Sequence, residues 1–303
     1  MTGNADSAGN GGTFSVAVIG AGRMGAAMVA RLRGAGTAVI VYNRTRERAR
    51  RVAEATGAAV ADTAREAAAA APVVLVSLAD DRAVTSAYEG PDGVAAGVSP
   101  GAIVADTSTI DPHTALRIGE LVAARGAGLL DAPVSGSVPS VERGELTVLA
   151  GGDPAHLERA RPVLGILARQ IFHVGPAGAG ATMKLAVNSV VHALNQALSE
   201  ALGLAERSGI RRDVAYDVLA ASAAGAPFVH YKRAAFERPD ETPVAFTLDL
   251  VAKDLDLVLG LAARVGAPME QAAANRAAAA AAIEAGLGGR DMSAIAEFLR
   301  HQA

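Results

Sequence analysis

The sequence predicts an α/β fold: an N-terminal domain with a doubly wound parallel sheet, joined by a long interdomain helix to an all-α C-terminal domain. Three observations support this fold class. Short apolar segments rich in β-branched residues alternate with alanine-rich, helix-compatible segments up to residue 174. A cluster of glycines follows the first apolar segment directly. After residue 175 no strand pattern returns, and only Gly and Pro clusters interrupt the helical segments.

The expected strands are near-continuous apolar runs, which is typical of parallel strands covered on both faces. They lie at residues 14–19, 38–42, 58–60, 73–77, 102–105, 129–132, 146–150 and 170–174. Helices are expected to fill most of the gaps. Residues 181–207 contain no proline and one glycine, and predict a single helix about 40 Å long. The domains are therefore placed at 13–175 and 176–303, after a disordered tail at 1–12.

Composition narrows the classes of function. The 303 residues carry a net charge of −3, which gives no reason to expect nucleic-acid binding. The chain has no cysteine and six scattered histidines, so neither a disulfide nor a metal site is expected. The first residues lack the pattern of a signal peptide, and no apolar stretch is long enough for a membrane span. A cytoplasmic protein is expected.

Residues 16–25, VAVIGAGRMG, carry the most specific signal in the chain. Gly20 permits a tight turn, Gly22 lets the backbone approach a diphosphate, and Gly25 allows the following helix to pack on its strand. A diphosphate can then sit on the free N–H groups at the helix N-terminus. The spacing predicts a Rossmann-type dinucleotide site rather than a purely structural glycine turn.

The end of the second strand indicates which dinucleotide binds. NAD enzymes usually place a carboxylate here for the ribose hydroxyls, whereas this chain has Asn43, Arg44 and Thr45. Guanidinium groups suit a 2′-phosphate, so NADP(H) is expected in preference to NAD(H). The alternative is that Arg44 belongs, like the arginines after it, to a solvated helix face.

Lys184 is the leading candidate for a general acid/base. It lies near the start of the long helix among small and apolar neighbours, where desolvation lowers the pKa of lysine. Asn188 follows four residues later and shares its helix face. The alternative is a lysine whose stem is buried and whose ammonium group reaches solvent at the domain boundary.

Several motifs together resemble the β-hydroxyacid dehydrogenase family, which includes 3-hydroxyisobutyrate dehydrogenase and the glyoxylate and succinic semialdehyde reductases. The resemblance covers most of the chain. It rests on the GxGxMG loop at 20–25, DTST at 106–109, DAPVSG at 131–136, GEL at 144–146, GG at 151–152, GxGxxxKxxxN at 178–188, Phe246, and KDL at 253–255.

The resemblance implies an NAD(P)-dependent oxidoreductase in which Lys184 is the acid/base and Asn188 orients the substrate. It also implies that Ser135 and Gly136 bind a substrate carboxylate, although this segment also suits a plain turn. The residues expected to contact the cofactor are Gly20, Ala21, Gly22, Arg23, Met24, Gly25, Asn43, Arg44, Thr45, Leu78, Thr109 and Lys253. Besides Arg44, two of these have alternatives: Thr109 lies in a segment that can cap a helix, and Lys253 can pair at the surface with Asp254 or Asp256.

The chain departs from the family pattern in its substrate loop. Ser137 and Val141 stand where the family keeps small residues, and Val187 replaces the first Asn of an Asn-Asn pair. We expect Ser137 to join the substrate-binding residues, and Ser137 and Val141 to influence substrate choice. The expected partners are a small carboxylate substrate and a second copy of the chain, as a homodimer or higher oligomer. The rival functions are an imine reductase that uses NADPH and a non-catalytic NADP-binding protein.

Overall fold

The computed structural model describes residues 15–301, and the proposed tail at 1–12 lies outside them. The chain divides into two compact units between Ala181 and Thr182. The sequence placed this division after residue 175.

The N-terminal unit contains a sheet of nine strands in the described part of the chain. The strands are β1 (Val16–Ile19), β2 (Val39–Tyr42), β3 (Ala59–Val60), β4 (Val73–Val76), β5 (Ile103–Asp106), β6 (Gly128–Asp131), β7 (Val134–Ser135), β8 (Leu146–Gly152) and β9 (Ala168–Gly175). The order is β3-β2-β1-β4-β5-β6-β8-β7, with β9 paired to β8.

The first six strands are parallel, with Val16 in register with both Val39 and Val73. β8 runs antiparallel to β6 and β7, whereas β9 is parallel to β8. The predicted fold class is confirmed. The order 3-2-1-4-5-6 reverses direction beside β1, and that switch point is where such sheets bind ligands.

Helices cover both faces of this sheet, because all four residues of β1 are buried and they alternate between two apolar clusters. Val16 and Val18 belong to one buried cluster, and Ala17 and Ile19 to another. The helices of this unit are α1 (Arg23–Gly34), α2 (Arg46–Thr56), α3 (Ala64–Ala69), α4 (Asp81–Tyr88), α5 (Val94–Gly97), α6 (Pro112–Ala123), α7 (Val138–Arg143) and α8 (Pro154–Leu167).

The C-terminal unit is helical. Its elements are α9 (Ala179–Arg207), α10 (Arg212–Ala221), α11 (Pro227–Glu237), α12 (Leu248–Val265), α13 (Glu270–Ala282), a π-helical turn (Ile283–Leu287) and α14 (Ala294–His301). The long helix predicted at 181–207 begins two residues earlier, at Ala179. Leu185, Leu202, Tyr216 and Leu255 lie in the core of this unit, so one face of α9 packs against α10 and α12.

Within residues 15–301, every helix is either too short or too polar to cross a bilayer.

Candidate active site

The loop after β1 has the geometry that its glycines predict. Gly20 has φ +108°, and a Cβ there would collide with the carbonyl oxygen of Ser77. A Cβ on Gly25 would collide with the carbonyl oxygen of Gly20. Gly22 is different, because a Cβ there would meet no atom within 4 Å. Two of the glycines are therefore required by packing, while the third faces open space.

The open side of this loop fits a dinucleotide. Gly22 is the N-cap of α1, and no described side chain caps that end of the helix. The first N–H groups of a helix have no intrahelical acceptors, and the helix dipole is positive there. Arg23 and Met24 occupy the first turn and are exposed and half-buried, respectively. The backbone of residues 22–25 can therefore hold a diphosphate.

Asn43 connects the end of β2 to this loop. Its Oδ1 accepts a hydrogen bond from the N–H of Ala21 (3.0 Å), and its Nδ2 donates to the carbonyl of Thr45 (2.9 Å). The side chain thus fixes the loop, a role that the sequence did not reveal. Arg44 and Thr45 are exposed. Arg44 makes no ion pair with another described residue, whereas Arg46 pairs with Asp62 (2.6 Å).

A buried carboxylate organises the ends of β4 and β5. Asp106 Oδ2 accepts from the Tyr88 hydroxyl (2.9 Å), and Oδ1 accepts from the N–H of Ser108 (2.8 Å). Ser108 Oγ in turn accepts from the N–H of Leu78 (3.0 Å), so Leu78 is held half-buried at the sheet edge. Burial raises the pKa of Asp106 to about 6.

Thr109 is half-buried, and it is not the cap of the helix that follows. Asp111 is the N-cap of α6, and its side chain accepts from the N–H of His113 (2.8 Å).

The predicted substrate loop separates into two parts. Ser135 ends β7, and Gly136 is exposed with φ +135°. A Cβ on Gly136 would come within 2.7 Å of Leu146 Cδ2, so glycine is required there. Ser137 is instead the N-cap residue that precedes α7. It forms a capping box with Ser140, and its N–H donates to Ser140 Oγ (3.3 Å). Ser137 is thus fixed as a helix cap.

Val141, which is expected to influence substrate choice, does not lie at the surface of the substrate loop. Its side chain is fully buried and belongs to the apolar core of the N-terminal unit, together with Leu146 and Val148. The family's small residue is replaced here by a larger one that fills the core.

The glycines before Lys184 are explained by Asp131, which ends β6. Its carboxylate accepts from the N–H groups of Gly178 (2.9 Å) and Ala181 (2.8 Å). Gly178 has φ +87°, and a Cβ on Gly180 would collide with the carbonyl oxygens of Asp131 and Leu149. Burial raises the pKa of Asp131, and these backbone hydrogen bonds oppose that effect. The segment from which α9 begins is therefore tied to β6 within the N-terminal unit.

In the C-terminal unit, Lys184 is half-buried on α9. Burial lowers its pKa to about 8, with a smaller contribution from the positive charge of Lys253, while the negative charge of Asp254 opposes the decrease. A lysine of this kind exchanges its proton near neutral pH, as an acid/base must.

Asp254 is the centre of the polar cluster around this helix face. It lies on α12, is 1% exposed, and accepts a hydrogen bond at Oδ2 from Asn188 Nδ2 (2.6 Å). Lys253 Nζ lies 2.7 Å from Oδ1. The ion pair that was the alternative for Lys253 is thus present, but its carboxylate is buried rather than at the surface. Although burial raises the pKa of Asp254, the donors around it hold that pKa below its ordinary value.

Sequence reasoning did not single out Asp254 or His192 as site residues. Asp254 appeared in the sequence only as the middle residue of KDL and as a possible surface partner of Lys253. Its burial depends on packing between helices far apart in sequence. His192 had a signal, because it continues the four-residue spacing of Lys184 and Asn188. No cluster of three potential metal ligands occurs among residues 15–301.

Comparison with known proteins gives the family. Residues 15–175 match the family described as the NAD binding domain of 6-phosphogluconate dehydrogenase. Residues 178–299 match the family described as NAD-binding of NADP-dependent 3-hydroxyisobutyrate dehydrogenase. The chain belongs to the β-hydroxyacid dehydrogenase family.

Individual relatives match most of the chain. Glyoxylate/succinic semialdehyde reductase 1 of Arabidopsis thaliana is 34% identical over 95% of this chain and 99% of its own. The 3-hydroxyisobutyrate dehydrogenase of Pseudomonas aeruginosa is also 34% identical, over 94% of this chain and 98% of its own. A structure of Mycobacterium tuberculosis 3-hydroxyisobutyrate dehydrogenase with L-serine superposes with a TM-score of 0.82, at 33% identity over 95% of this chain and 99% of that chain. As a member of this family, the present protein is an NAD(P)-dependent oxidoreductase that acts on CH–OH groups.

Proposed function

We propose that the protein transfers hydride between NADP(H) and a small hydroxy acid, or the matching aldehyde or keto acid, with Lys184 as general acid/base. The observation that carries this proposal is the Lys184 environment: a half-buried lysine with its pKa lowered to about 8. It lies one helical turn from Asn188, whose amide is held by a buried carboxylate.

Each residue of the proposed site has one role in the reaction. The bound nicotinamide supplies or accepts the hydride. Protonated Lys184 donates a proton to the carbonyl oxygen during reduction, and neutral Lys184 accepts the hydroxyl proton during oxidation. Asn188 is fixed through Nδ2 by Asp254, which leaves its amide oxygen to orient the substrate. Ser135 and the backbone around Gly136 bind the substrate carboxylate.

The preference for NADP(H) is supported by Arg44. It is exposed after β2 with no ion pair to a described residue, and no carboxylate occupies residues 43–45 to repel a 2′-phosphate. Two relatives are named for glyoxylate and succinic semialdehyde, and we include these aldehyde acids among the proposed substrates. Ser137, half-buried beside Gly136, remains among the proposed substrate-binding residues and also caps α7.

The proposal includes a homodimer. Among the described residues, the helical unit exposes large apolar side chains along α9 and α10. Val190 and Leu204 lie on α9, and Val214 and Val218 on α10. These exposed apolar side chains support association with a second copy of the chain.

The deciding experiment measures turnover of glyoxylate, succinic semialdehyde, 3-hydroxyisobutyrate and serine, each with both nicotinamide cofactors. Lys184→Ala is expected to lower kcat by about 100-fold or more while cofactor affinity is retained. Met183→Ala, an exposed neighbour on the same helical turn, is the matched control. Near-normal kcat in a folded Lys184→Ala variant would remove Lys184 from the mechanism.

A further inference from the structure

His192 is a buried imidazole that the proposed mechanism does not use. It lies two turns after Lys184 on α9, on the face that carries Asn188, and it is 4% exposed. Its ring packs against Phe246, with ring centroids 6.0 Å apart. An apolar side chain would serve this packing equally well, so the two ring nitrogens require their own explanation.

Neither nitrogen of His192 has a hydrogen-bond partner among the described residues. Nε2 lies 3.5 Å from Asp254 Oδ2, longer than the usual N–H···O distance of about 2.9–3.0 Å. A buried polar group without a partner is costly, so a shift of about half an ångström that forms this bond is favoured.

Asp254 needs the additional donor. Its Oδ2 accepts from Asn188, and its Oδ1 lies beside Lys253. Oxygens of a buried carboxylate can each accept two hydrogen bonds, and an ionised carboxylate away from water depends on them. The imidazole of His192 is among the groups that hold the pKa of Asp254 below its ordinary value, against the effect of burial.

We infer that His192 is a positioning residue whose Nε2–H donates to Asp254 Oδ2, keeping that carboxylate ionised and oriented to hold the Asn188 amide. The inference rests on the proposed function, because Asn188 and Lys184 are the groups through which turnover is affected. The charged groups around this contact are Asp254 and Lys253 on α12 and Lys184 on α9.

The role predicts a specific pH dependence. Reduction needs protonated Lys184, so the reductive kcat of the natural enzyme is flat below about pH 7. Without the imidazole donor, the pKa of Asp254 rises toward the assay range, because burial is opposed by fewer donors. Protonated Asp254 accepts more weakly from Asn188, and kcat then decreases as the pH falls.

The test compares two substitutions of His192 in the full-length protein. His192→Phe keeps a ring for the Phe246 contact but has no donor. His192→Gln places an amide N–H near the position of Nε2. We expect reductive kcat of His192→Phe to fall about tenfold between about pH 7.5 and 5.5, while His192→Gln stays flat. Parallel profiles for His192→Phe and the natural enzyme, or an equal fall in His192→Gln, would overturn the inference.

A second measurement involves no turnover. Nitrogen-15 NMR of the histidine-labelled protein reports which ring nitrogens of each imidazole carry hydrogen, and the signal that disappears in His192→Phe is that of His192. We expect this signal to show hydrogen on Nε2 and to shift in Asp254→Asn; hydrogen on Nδ1 alone, with no shift in Asp254→Asn, would overturn the inference. Because this readout involves no turnover, it stands even if the Lys184→Ala experiment refutes the proposed acid/base.

Discussion

The N-terminal unit presents its candidate ligand groups from the backbone, whereas the C-terminal unit presents them from side chains. Around Gly22 the available donors are the N–H groups of a helix start, and the glycines matter because they leave space. Around Lys184 the candidate groups are the side chains of a lysine, an asparagine and a buried aspartate on two helices. A site formed by the backbone tolerates a larger side chain only at a glycine with open space around it. A site formed by side chains depends instead on their charges and on the hydrogen-bond partner of each one.

The largest effect is expected where the backbone site is tightest. Gly25→Ala places a methyl group against the carbonyl oxygen of Gly20, so the loop must move and α1 must separate from its strand. We expect cofactor binding, measured by NADPH fluorescence, to be lost and the Tm to fall. Gly22→Ala is the matched control, because its methyl group meets no atom: the Tm should stay within about 2 °C while cofactor binding weakens. Equal Tm values for the two variants would contradict the packing argument.

The side-chain site should respond to pH instead. Because Lys184 has its pKa lowered to about 8, the oxidative kcat/KM should increase about tenfold per pH unit below that value and then level off. The reductive reaction needs the protonated form, so its rate should be constant below about pH 7 and decrease above about pH 8. Steady-state rates in both directions check this. A pH-independent oxidative rate from about pH 6 to 9 would show that Lys184 is not the group that titrates.

Cofactor choice should depend on one exposed side chain. Arg44→Ala removes the guanidinium proposed for the 2′-phosphate, and loss of a charge-assisted hydrogen bond corresponds to about a tenfold weaker binding or more. We expect the KM for NADPH to increase by about that factor while the KM for NADH changes little. Arg48→Ala, an exposed arginine on α2, is the control. Equal changes for both cofactors would show that Arg44 does not contact the phosphate.

The smallest functional effect is expected at Val141. Since its side chain lies in the core, Val141→Ala should lower the free energy of unfolding by ~1–3 kcal/mol and leave relative kcat/KM values among substrates unchanged. Denaturant unfolding and a substrate panel measure the two quantities. A changed substrate preference with unchanged stability would show that Val141 does influence substrate choice.

Much of the N-terminal unit could be predicted because its determinants are local. Apolar runs of four or five residues and the GxGxxG spacing together specify strand, turn and helix. All eight predicted strand segments overlap strands of the sheet. The missed strand, β7, is two residues long, and two residues carry no periodicity. The role of Asn43 was missed because its partner, Ala21, is 22 residues away.

The sequence by itself determined the α/β class, the long helix, the nucleotide loop and the lysine on which the proposed chemistry depends, because each is written in contiguous residues or at helical spacing. Only the tertiary structure decided that Val141 belongs to the core, that Ser137 caps a helix, and that Asp254 is buried against Asn188 and His192. The physical reason is desolvation: the pKa of a carboxylate or lysine depends on which groups surround it after packing, and those groups come from segments more than sixty residues apart.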